Sequence, residues 1–334
     1  MQNKKKPYNF EKLEDDFKKR REFVLYLGTG INYSKEFNFS WDNLIEILLQ
    51  HAVSMMPYKF NMDDLSREKK TNIIKQTIGE NAYLKVIQHF LYKNYTHDLI
   101  EKTCENYVNH ITNNNNPPDN FLTLFRIADL ILHSPNINEI VTQNYDQFLE
   151  DAMLSLQKNE KYKEYIQNNY SNETFQRIEA IKPITICDWN PNPVTKNDIN
   201  IYHVHGFIPK YEAIQAPSKG NHVVLSPDEF YEDSKNVYSW QVATQMHFLT
   251  HYCGLICGLS LEDFTSQRLL HYVKNIRKGN LYYITAPEKD TEKEKTKQKI
   301  MNIMHTKKGL SVIYDDNYNF YEIYKLIGDL QYGK

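Results

Sequence analysis

The first strong pattern in the chain is an apolar run at residues 23–27, which is followed at once by a glycine turn. The run Phe-Val-Leu-Tyr-Leu is apolar at every position, as is typical of a strand buried on both faces of a parallel sheet. Similar short runs predict further strands at residues 139–142, 201–204, 223–225, 254–257, 281–285 and 310–314.

Between the first two strands the pattern has a helical period instead. Apolar residues from Trp41 to Ala52 recur at i, i+3, i+4, i+7 and i+8, which predicts a helix with one buried face. Other helices are predicted at residues 83–95, 99–111 and 121–132, and later at 147–156, 286–308 and 321–330. Roughly a hundred mostly helical residues are too many for one crossover, so we expect a helical insertion module at residues 41–135.

Together these elements predict an α/β fold with a doubly wound, mostly parallel Rossmann-like sheet and a helical insertion after the first strand. Alternating strands and helices are typical of that class, in which ligands bind beyond the carboxyl ends of the strands. We expect one domain over residues 1–334, without a separate sensor domain.

Composition and charge narrow the function classes. The chain carries 40 Lys and Arg against 42 Asp and Glu, a net charge of -2, which gives no electrostatic footprint for direct binding of nucleic acid or of an anionic membrane. The N-terminus lacks the apolar stretch of a secretory signal, and the apolar runs are too short to cross a membrane. We therefore expect a cytoplasmic protein whose partner is a small molecule or another protein.

Two polar turns follow the first two predicted strands. Gly28-Thr29-Gly30 and the nearby Asn32 stand where backbone N–H groups can approach a phosphate, although a tight turn without a ligand has the same appearance. Residues 142–146, Thr-Gln-Asn-Tyr-Asp, should emerge at the same end of the sheet. Their side chains could face a ligand, or one of them could simply cap the next helix.

Two later strand ends carry further candidates. His205-Gly206 follows the strand at 201–204, and His203 lies on the same face of that strand. The two imidazoles could form a metal pair, but no third ligand has suitable spacing and we expect no metal. At the end of the strand at 254–257, Gly258 and Ser260 precede a helix that begins near Asp263, where Ser260 could bond a ribose hydroxyl or cap the helix.

In the order of these motifs the chain resembles the sirtuin-like NAD-binding family, over about residues 21 to 315. The motifs are Gly28-Thr29-Gly30, Thr142-Gln143-Asn144-Tyr145-Asp146, His205-Gly206 and Gly258-Leu259-Ser260. The family usually has alanine at the position of Thr29 and serine at that of Asn32.

The resemblance implies a site for NAD as the substrate. It implies three catalytic residues, Asn144, Asp146 and His205, with Asn144 and Asp146 facing the nicotinamide ribose and His205 acting as the base. It implies further contacts with NAD from Gly28, Thr29, Gly30, Asn32, Gln143, Gly258, Ser260 and Asp263, the glycines of the first turn approaching the pyrophosphate and Gly258 and Ser260 holding the adenosine side.

The chain departs from the protein-deacylating sirtuins at the zinc site. Those proteins hold a structural zinc with two pairs of closely spaced cysteines, and this chain has four cysteines in all, without such pairs. Cys253 and Cys257 fall along one predicted strand and about 13 Å apart, too far to share a zinc ion. We expect them to be small core residues.

Sirtuin-like proteins that lack zinc and carry a helical insertion resemble bacterial antiviral effectors that hydrolyse NAD. The expectation is therefore an NAD hydrolase, a defence effector that acts by NAD depletion, as a homo-oligomer or with a separately encoded sensor or ATPase. A non-catalytic module that senses NAD or ADP-ribose is the alternative, and an NAD-dependent protein deacylase is a further one. A hydride-transferring dehydrogenase lacks an acidic residue suitably placed after the glycine turn.

Overall fold

The computed structural model describes residues 6–19, 21–32, 41–56, 65–93, 97–113, 122–187, 198–210, 223–225, 229, 236, 239–261, 264–285, 292–314 and 323–327. Seven strands in these segments form one sheet. They are β1 (Phe23–Leu27), β2 (Ile137–Thr142), β3 (Pro183–Ile186), β4 (Ile199–His203), β5 (Cys253–Cys257), β6 (Leu281–Ile284) and β7 (Ser311–Ile313). The order is β3-β4-β2-β1-β5-β6-β7, and every neighbouring pair is parallel.

Helices cover both faces of the sheet. The described helices are α1 (Phe10–Lys18), α2 (Trp41–Ser54), α3 (Arg67–Thr77), α4 (Glu80–Tyr92), α5 (His97–Asn113), α6 (Leu122–His133), α7 (Phe148–Lys158), α8 (Glu160–Asn169), α9 (Asn172–Ala180), α10 (Trp240–His251), α11 (Phe264–Val273) and α12 (Glu292–Lys307). A 3-10 turn at Thr29–Asn32 follows β1, and residues 323–327 are helical. None of the described helices is both long and apolar enough to cross a membrane.

The alternation of side chains along β1 divides the core into two layers. Phe23, Leu25 and Leu27 point to the face that packs against α1 and α5–α9. Val24 and Tyr26 point to the opposite face, against α10 and α11. Because both faces are covered, β1 is apolar throughout, and the prediction of a doubly wound α/β sheet is confirmed.

The helices between β1 and β2 also belong to two separate apolar cores. The last two of its helices, α5 and α6, belong to the sheet core. The first three, α2–α4, build a separate apolar cluster that also takes in Tyr145, Ile208 and Leu225. The α2–α4 helices therefore contact the segments that follow β2 and β4.

Some local predictions were wrong. The apolar residues 223–225 are not a strand; Val223 and Leu225 are apolar because they pack into the α2–α4 cluster. The edge strand β3 and the helices α1, α3, α8, α9 and α10 were not predicted. The predicted helix at 286–308 begins at Glu292 in the described residues, while 286–291 lie outside them, as do the ends of the predicted helix at 321–330.

The register aligns the carboxyl ends of four neighbouring strands. Leu27 is the partner of Cys257 on one side and of Thr142 on the other, and Thr142 is in turn the partner of His203. The main-chain ladder continues one residue further, since the amides of Gly28, Gln143 and Val204 each donate to the carbonyl of the neighbouring strand at 3.0–3.1 Å. The segments that follow β5, β1, β2 and β4 therefore leave the sheet side by side, at the point where the strand order changes direction.

Candidate functional site

The turns after β1 and β5 pack directly on each other. A Cβ atom at Gly28 would lie 2.4 Å from Leu259 Cδ2, and one at Gly30 would lie 2.8 Å from Gly258 Cα. Gly258 has a φ of +66°, which L side chains rarely adopt. The packing of the two turns thus requires glycine at these positions whether or not a ligand is bound.

The amides of the first turn already have protein partners. Gly28 N–H donates to the Cys257 carbonyl and Gly30 N–H to the Gly258 carbonyl, both at 3.0 Å. A phosphate near this turn would therefore need other donors. The approach of these two glycines to a pyrophosphate stays a prediction.

The segment after β2 bends sharply because a side chain closes the turn. The Thr142 hydroxyl accepts a hydrogen bond from the Asn144 amide at 3.1 Å, a turn closed by a threonine hydroxyl. Asn144 is buried, and its side-chain Oδ1 has no hydrogen-bond partner among the described residues. The side-chain amide of Asn144 therefore faces the interior of the site and does not cap α7.

Asp146 joins the β1 turn to the beginning of α7. Its Oδ2 accepts from Asn32 Nδ2 at 3.0 Å, and its Oδ1 accepts from the amide of Phe148, the first residue of α7, at 3.0 Å. The carboxyl is buried, and this burial raises its pKa to about 6 despite those two donors. Asp146 therefore binds the helix terminus and also places an acidic group of nearly neutral pKa in the site.

A small cavity of about 10 Å³ lies among these side chains, bounded by Asn32, Asn144, Asp146, Glu150, His203 and apolar neighbours. Three buried oxygens on its lining residues, Asn32 Oδ1, Asn144 Oδ1 and Glu150 Oε2, have no hydrogen-bond partner among the described residues. All three are acceptors. The cavity has room for about one water molecule and suits a small group that brings hydrogen-bond donors.

The imidazole on this cavity belongs to His203. Its Nδ1 lies 2.8 Å from the carbonyl oxygen of Asn144, and its Nε2 lies 2.9 Å from Glu150 Oε1. Burial lowers the pKa of His203, but the charge of Glu150 and these hydrogen bonds outweigh burial and raise it above the ordinary value. The described residues hold no group of three His, Cys, Asp or Glu side chains that could bind a metal ion, and both ring nitrogens of His203 lie within hydrogen-bond distance of protein oxygens.

The other predicted residues that the structure describes do not line this cavity. His205 is buried in the turn after β4, where its carbonyl accepts from the Val224 amide at 3.0 Å, but it does not line the cavity. Gln143 is half-buried and donates to the Ser266 hydroxyl at 3.2 Å. Thr29 and Ser260 are exposed. Asp263 lies outside the described residues.

Two residues of this arrangement were not predicted as site residues. Glu150 carries no motif signal, because it stands on the first turn of α7 within an ordinary helical pattern. His203 was considered only as a metal ligand. Their pairing depends on how α7 lies across the end of β4, which sequence spacing does not reveal.

Comparison with protein families agrees with this fold. Residues 138–313 match the SIR2-like domain, which is slightly more than half of the chain. The chain belongs to the SIR2-like family. A search of curated proteins gave no match.

The SIR2-like match runs from β2 to β7 and so includes Asn144, Asp146, His205 and Ser260. The glycine turn after β1 and the helices α2–α6 precede it. Membership of the SIR2-like family supports an NAD-related function and confirms the predicted sirtuin-like resemblance. It leaves the reaction and the residue roles as proposals.

Proposed function

We propose that this SIR2-like protein hydrolyses NAD to nicotinamide and ADP-ribose. The bond between the nicotinamide nitrogen and ribose C1′ breaks, and the oxygen of water forms the new bond to C1′. The electron pair of the broken bond leaves with nicotinamide, which becomes neutral, and water releases one proton.

Asp146 suits the charge that develops in this reaction. Loss of nicotinamide moves the positive charge of the pyridinium onto the ribose, so the transition state resembles an oxocarbenium ion. A buried carboxylate held by Asn32 and by the start of α7 is a preorganised negative group, and such groups are often worth several kcal/mol of transition-state stabilisation.

Asn144 and His205 complete the proposed catalytic set. The buried Asn144 Oδ1 can accept a hydrogen bond from water or from the carboxamide of nicotinamide without adding charge. A histidine has a reference pKa near 6.5 and can accept a proton from a ribose hydroxyl or from the attacking water at neutral pH, a contribution of about 10²- to 10⁴-fold. No metal is needed for a cationic substrate that releases a neutral leaving group.

The observation that carries this proposal is the acceptor-lined cavity beside Asn144 and Asp146 in a SIR2-like protein. It has room for about one water molecule, and water is the nucleophile of hydrolysis.

Purified protein incubated with NAD tests the proposal, with the products separated by chromatography. We expect nicotinamide and ADP-ribose in equal amounts. Asn144→Ala and His205→Ala should each lower turnover by about 100-fold or more, while the melting temperature falls by no more than about 4 °C.

Asn169→Ala on α8 is the matched control, because Asn169 is exposed and its side chain donates to the Tyr165 carbonyl of the same helix; its activity should equal that of the wild type. Binding of NAD without product, with or without added cell extract, would favour a sensing module instead. Product formation only with an acetylated peptide would identify a deacylase. Unfolding of both site variants would assign the two residues a structural role.

The biological role that fits this reaction is a defence effector that depletes NAD during phage infection. Ungated hydrolysis would poison the host, so activity should depend on a homo-oligomer or on a separately encoded sensor or ATPase. Light scattering of the purified protein, compared with the chain mass of 39.7 kDa, tests the homo-oligomer directly.

A further inference from the structure

We infer that His203, held by Glu150, is a positioning residue that fixes the main chain of Asn144 for NAD hydrolysis. This inference rests on the proposed function and deepens it. It starts from the two hydrogen bonds of one buried imidazole, to the Asn144 carbonyl at 2.8 Å and to Glu150 at 2.9 Å.

The chemistry of these partners fixes the proton on each nitrogen. A carbonyl oxygen can only accept, so Nδ1 of His203 carries a hydrogen and donates to Asn144. A second proton must lie between Nε2 and Glu150, because an unprotonated nitrogen would otherwise face an ionised carboxylate. The pair therefore carries one proton more than a neutral histidine and a free carboxylate would.

Glu150 is itself held in place from the neighbouring strand. The hydroxyl of Thr185 on β3 donates to the same Glu150 Oε1 at 3.0 Å. Glu150 on α7, itself held by β3, thus fixes one nitrogen of His203, and the other nitrogen donates to the residue proposed to orient water. The charged groups around His203 are Glu150 on α7 and Asp146 in the segment after β2.

The position of Asn144 depends on few other contacts. Its main-chain amide is held by Thr142 and its carbonyl by His203, while its side-chain Oδ1 at the cavity has no partner within the part of the chain that the structure describes. Without the bond from His203, one of the two main-chain restraints is lost. A shift of about 1 Å in a group that orients a reactant can lower the rate by about 100-fold.

Two substitutions of His203 separate positioning from simple filling of a buried space. In His203→Asn the amide nitrogen replaces Nδ1 and can donate to the Asn144 carbonyl, but the contact to Glu150 is lost. In His203→Gln the amide nitrogen replaces Nε2 and can reach Glu150, but the contact to Asn144 is lost. Each variant keeps one of the two bonds.

We expect His203→Gln to lower kcat by about 100-fold with KM changed less than threefold, and His203→Asn to stay within about tenfold of wild-type kcat. Melting curves of both variants verify that they are folded. Equal losses in the two variants, or a larger loss in His203→Asn, would overturn the inference. If either variant fails to fold, the kcat–pH profile of Glu150→Gln provides the test.

Glu150→Gln supplies that second readout. In the wild type, loss of the extra proton at high pH should break the contact between His203 and Glu150 and lower kcat. The amide introduced by Glu150→Gln would donate to a neutral His203 and keep the geometry without the extra proton, so this alkaline limb of the kcat–pH profile should vanish while kcat near pH 7 stays within about tenfold. An alkaline limb at the wild-type position together with a large loss of kcat would contradict the inference. If the wild type itself turns over no NAD, the proposed function fails, and the affinities of the same variants for NAD, measured by calorimetry, should follow the same order.

Discussion

At the scale of single residues, the buried carboxyl of Asp146 carries a cost in stability. Folding raises the pKa of its carboxyl from 3.8 to about 6, chiefly through burial. The native protein therefore binds this proton more tightly than the unfolded chain, and the free energy of unfolding falls as pH rises from 3.8 to about 6. At neutral pH the ionised carboxylate costs on the order of 3 kcal/mol of stability.

Asp146→Asn should therefore raise the melting temperature at pH 7 by a few degrees and lower NAD turnover by about 100-fold or more. The new amide can bond to Asn32, whose unpaired Oδ1 becomes the acceptor after a flip of its own amide.

In the wild type, kcat should fall as pH drops through about 6, because the carboxyl of Asp146 then becomes neutral. Calorimetric melts and a pH profile measure both effects, and a variant that is both less stable and fully active would refute this account.

The pairing of Glu150 with His203 marks the limit of what the sequence predicts about single residues. Asn144 and Asp146 could be placed at the rim because they directly follow a strand of clear pattern. Glu150 lies within a helix, and a buried carboxylate in a helix resembles an exposed one in sequence. Only the three-dimensional approach of α7 to the end of β4 distinguishes the two.

At the scale of elements, the contact between the β1 and β5 turns controls the shape of the rim. A side chain at position 258 meets two separate obstacles: the φ of +66° and a Cβ position 2.7 Å from the Ile31 amide nitrogen. Gly258→Ala should cost about 1–3 kcal/mol of unfolding free energy through this strain and the displaced turn.

Gly79→Ala is the matched control for Gly258→Ala. Gly79 precedes α4 with a φ of -63°, and a Cβ there meets nothing within 4 Å. Its unfolding free energy should stay within about 0.5 kcal/mol of the wild type. Denaturant titrations of both variants give the comparison, and equal stabilities would show that the two turns are less tightly coupled than their contacts indicate.

Strands were predicted where burial on both faces requires a continuous run of apolar residues, as in β1 and β5. The edge strand β3 escaped prediction because three of its four residues are only half-buried and it begins with Pro183, a residue that a strand tolerates at its first position. Residues 223–225 were wrongly predicted to be a strand, because an apolar segment that packs against helices has the same composition as a short strand. The helices α8 and α9 are mostly polar and bury few residues, so they lack the apolar positions by which the other helices were recognised.

At the scale of the whole molecule, the two ends of the sheet hold their buried carboxylates differently. At the amino end, Asp16 Oδ2 accepts from Asn280 Nδ2 and from the Tyr282 hydroxyl, each at 2.7 Å, and Arg21 Nε lies 3.3 Å from Oδ1. Burial raises the pKa of Asp16, but these donors outweigh it and the pKa is lowered overall. At the carboxyl end, Asp146 has fewer donors and a raised pKa. Asp16 and Asp146, at opposite ends of the strands, therefore have opposite pKa shifts.

The opposite pKa shifts of Asp16 and Asp146 predict that replacing each aspartate by asparagine changes stability in opposite directions. Asp16→Asn keeps the shape of the side chain but removes the charge and one acceptor, so it should lower stability at pH 7 by about 2 kcal/mol, in contrast to the gain expected for Asp146→Asn. The stabilisation from Asp16 is present above its unfolded pKa of 3.8 and is lost as pH falls through its lowered folded value, so the difference in stability between wild type and Asp16→Asn should shrink in acid.

Turnover of NAD per folded molecule should be unchanged in Asp16→Asn, because Asp16 lies at the opposite end of the strands from the site. Melts from pH 3 to 8, paired with NAD assays at each pH, measure all three quantities; a shared sign of the two stability changes at pH 7 would mean that the two ends do not differ in the way their hydrogen bonds indicate.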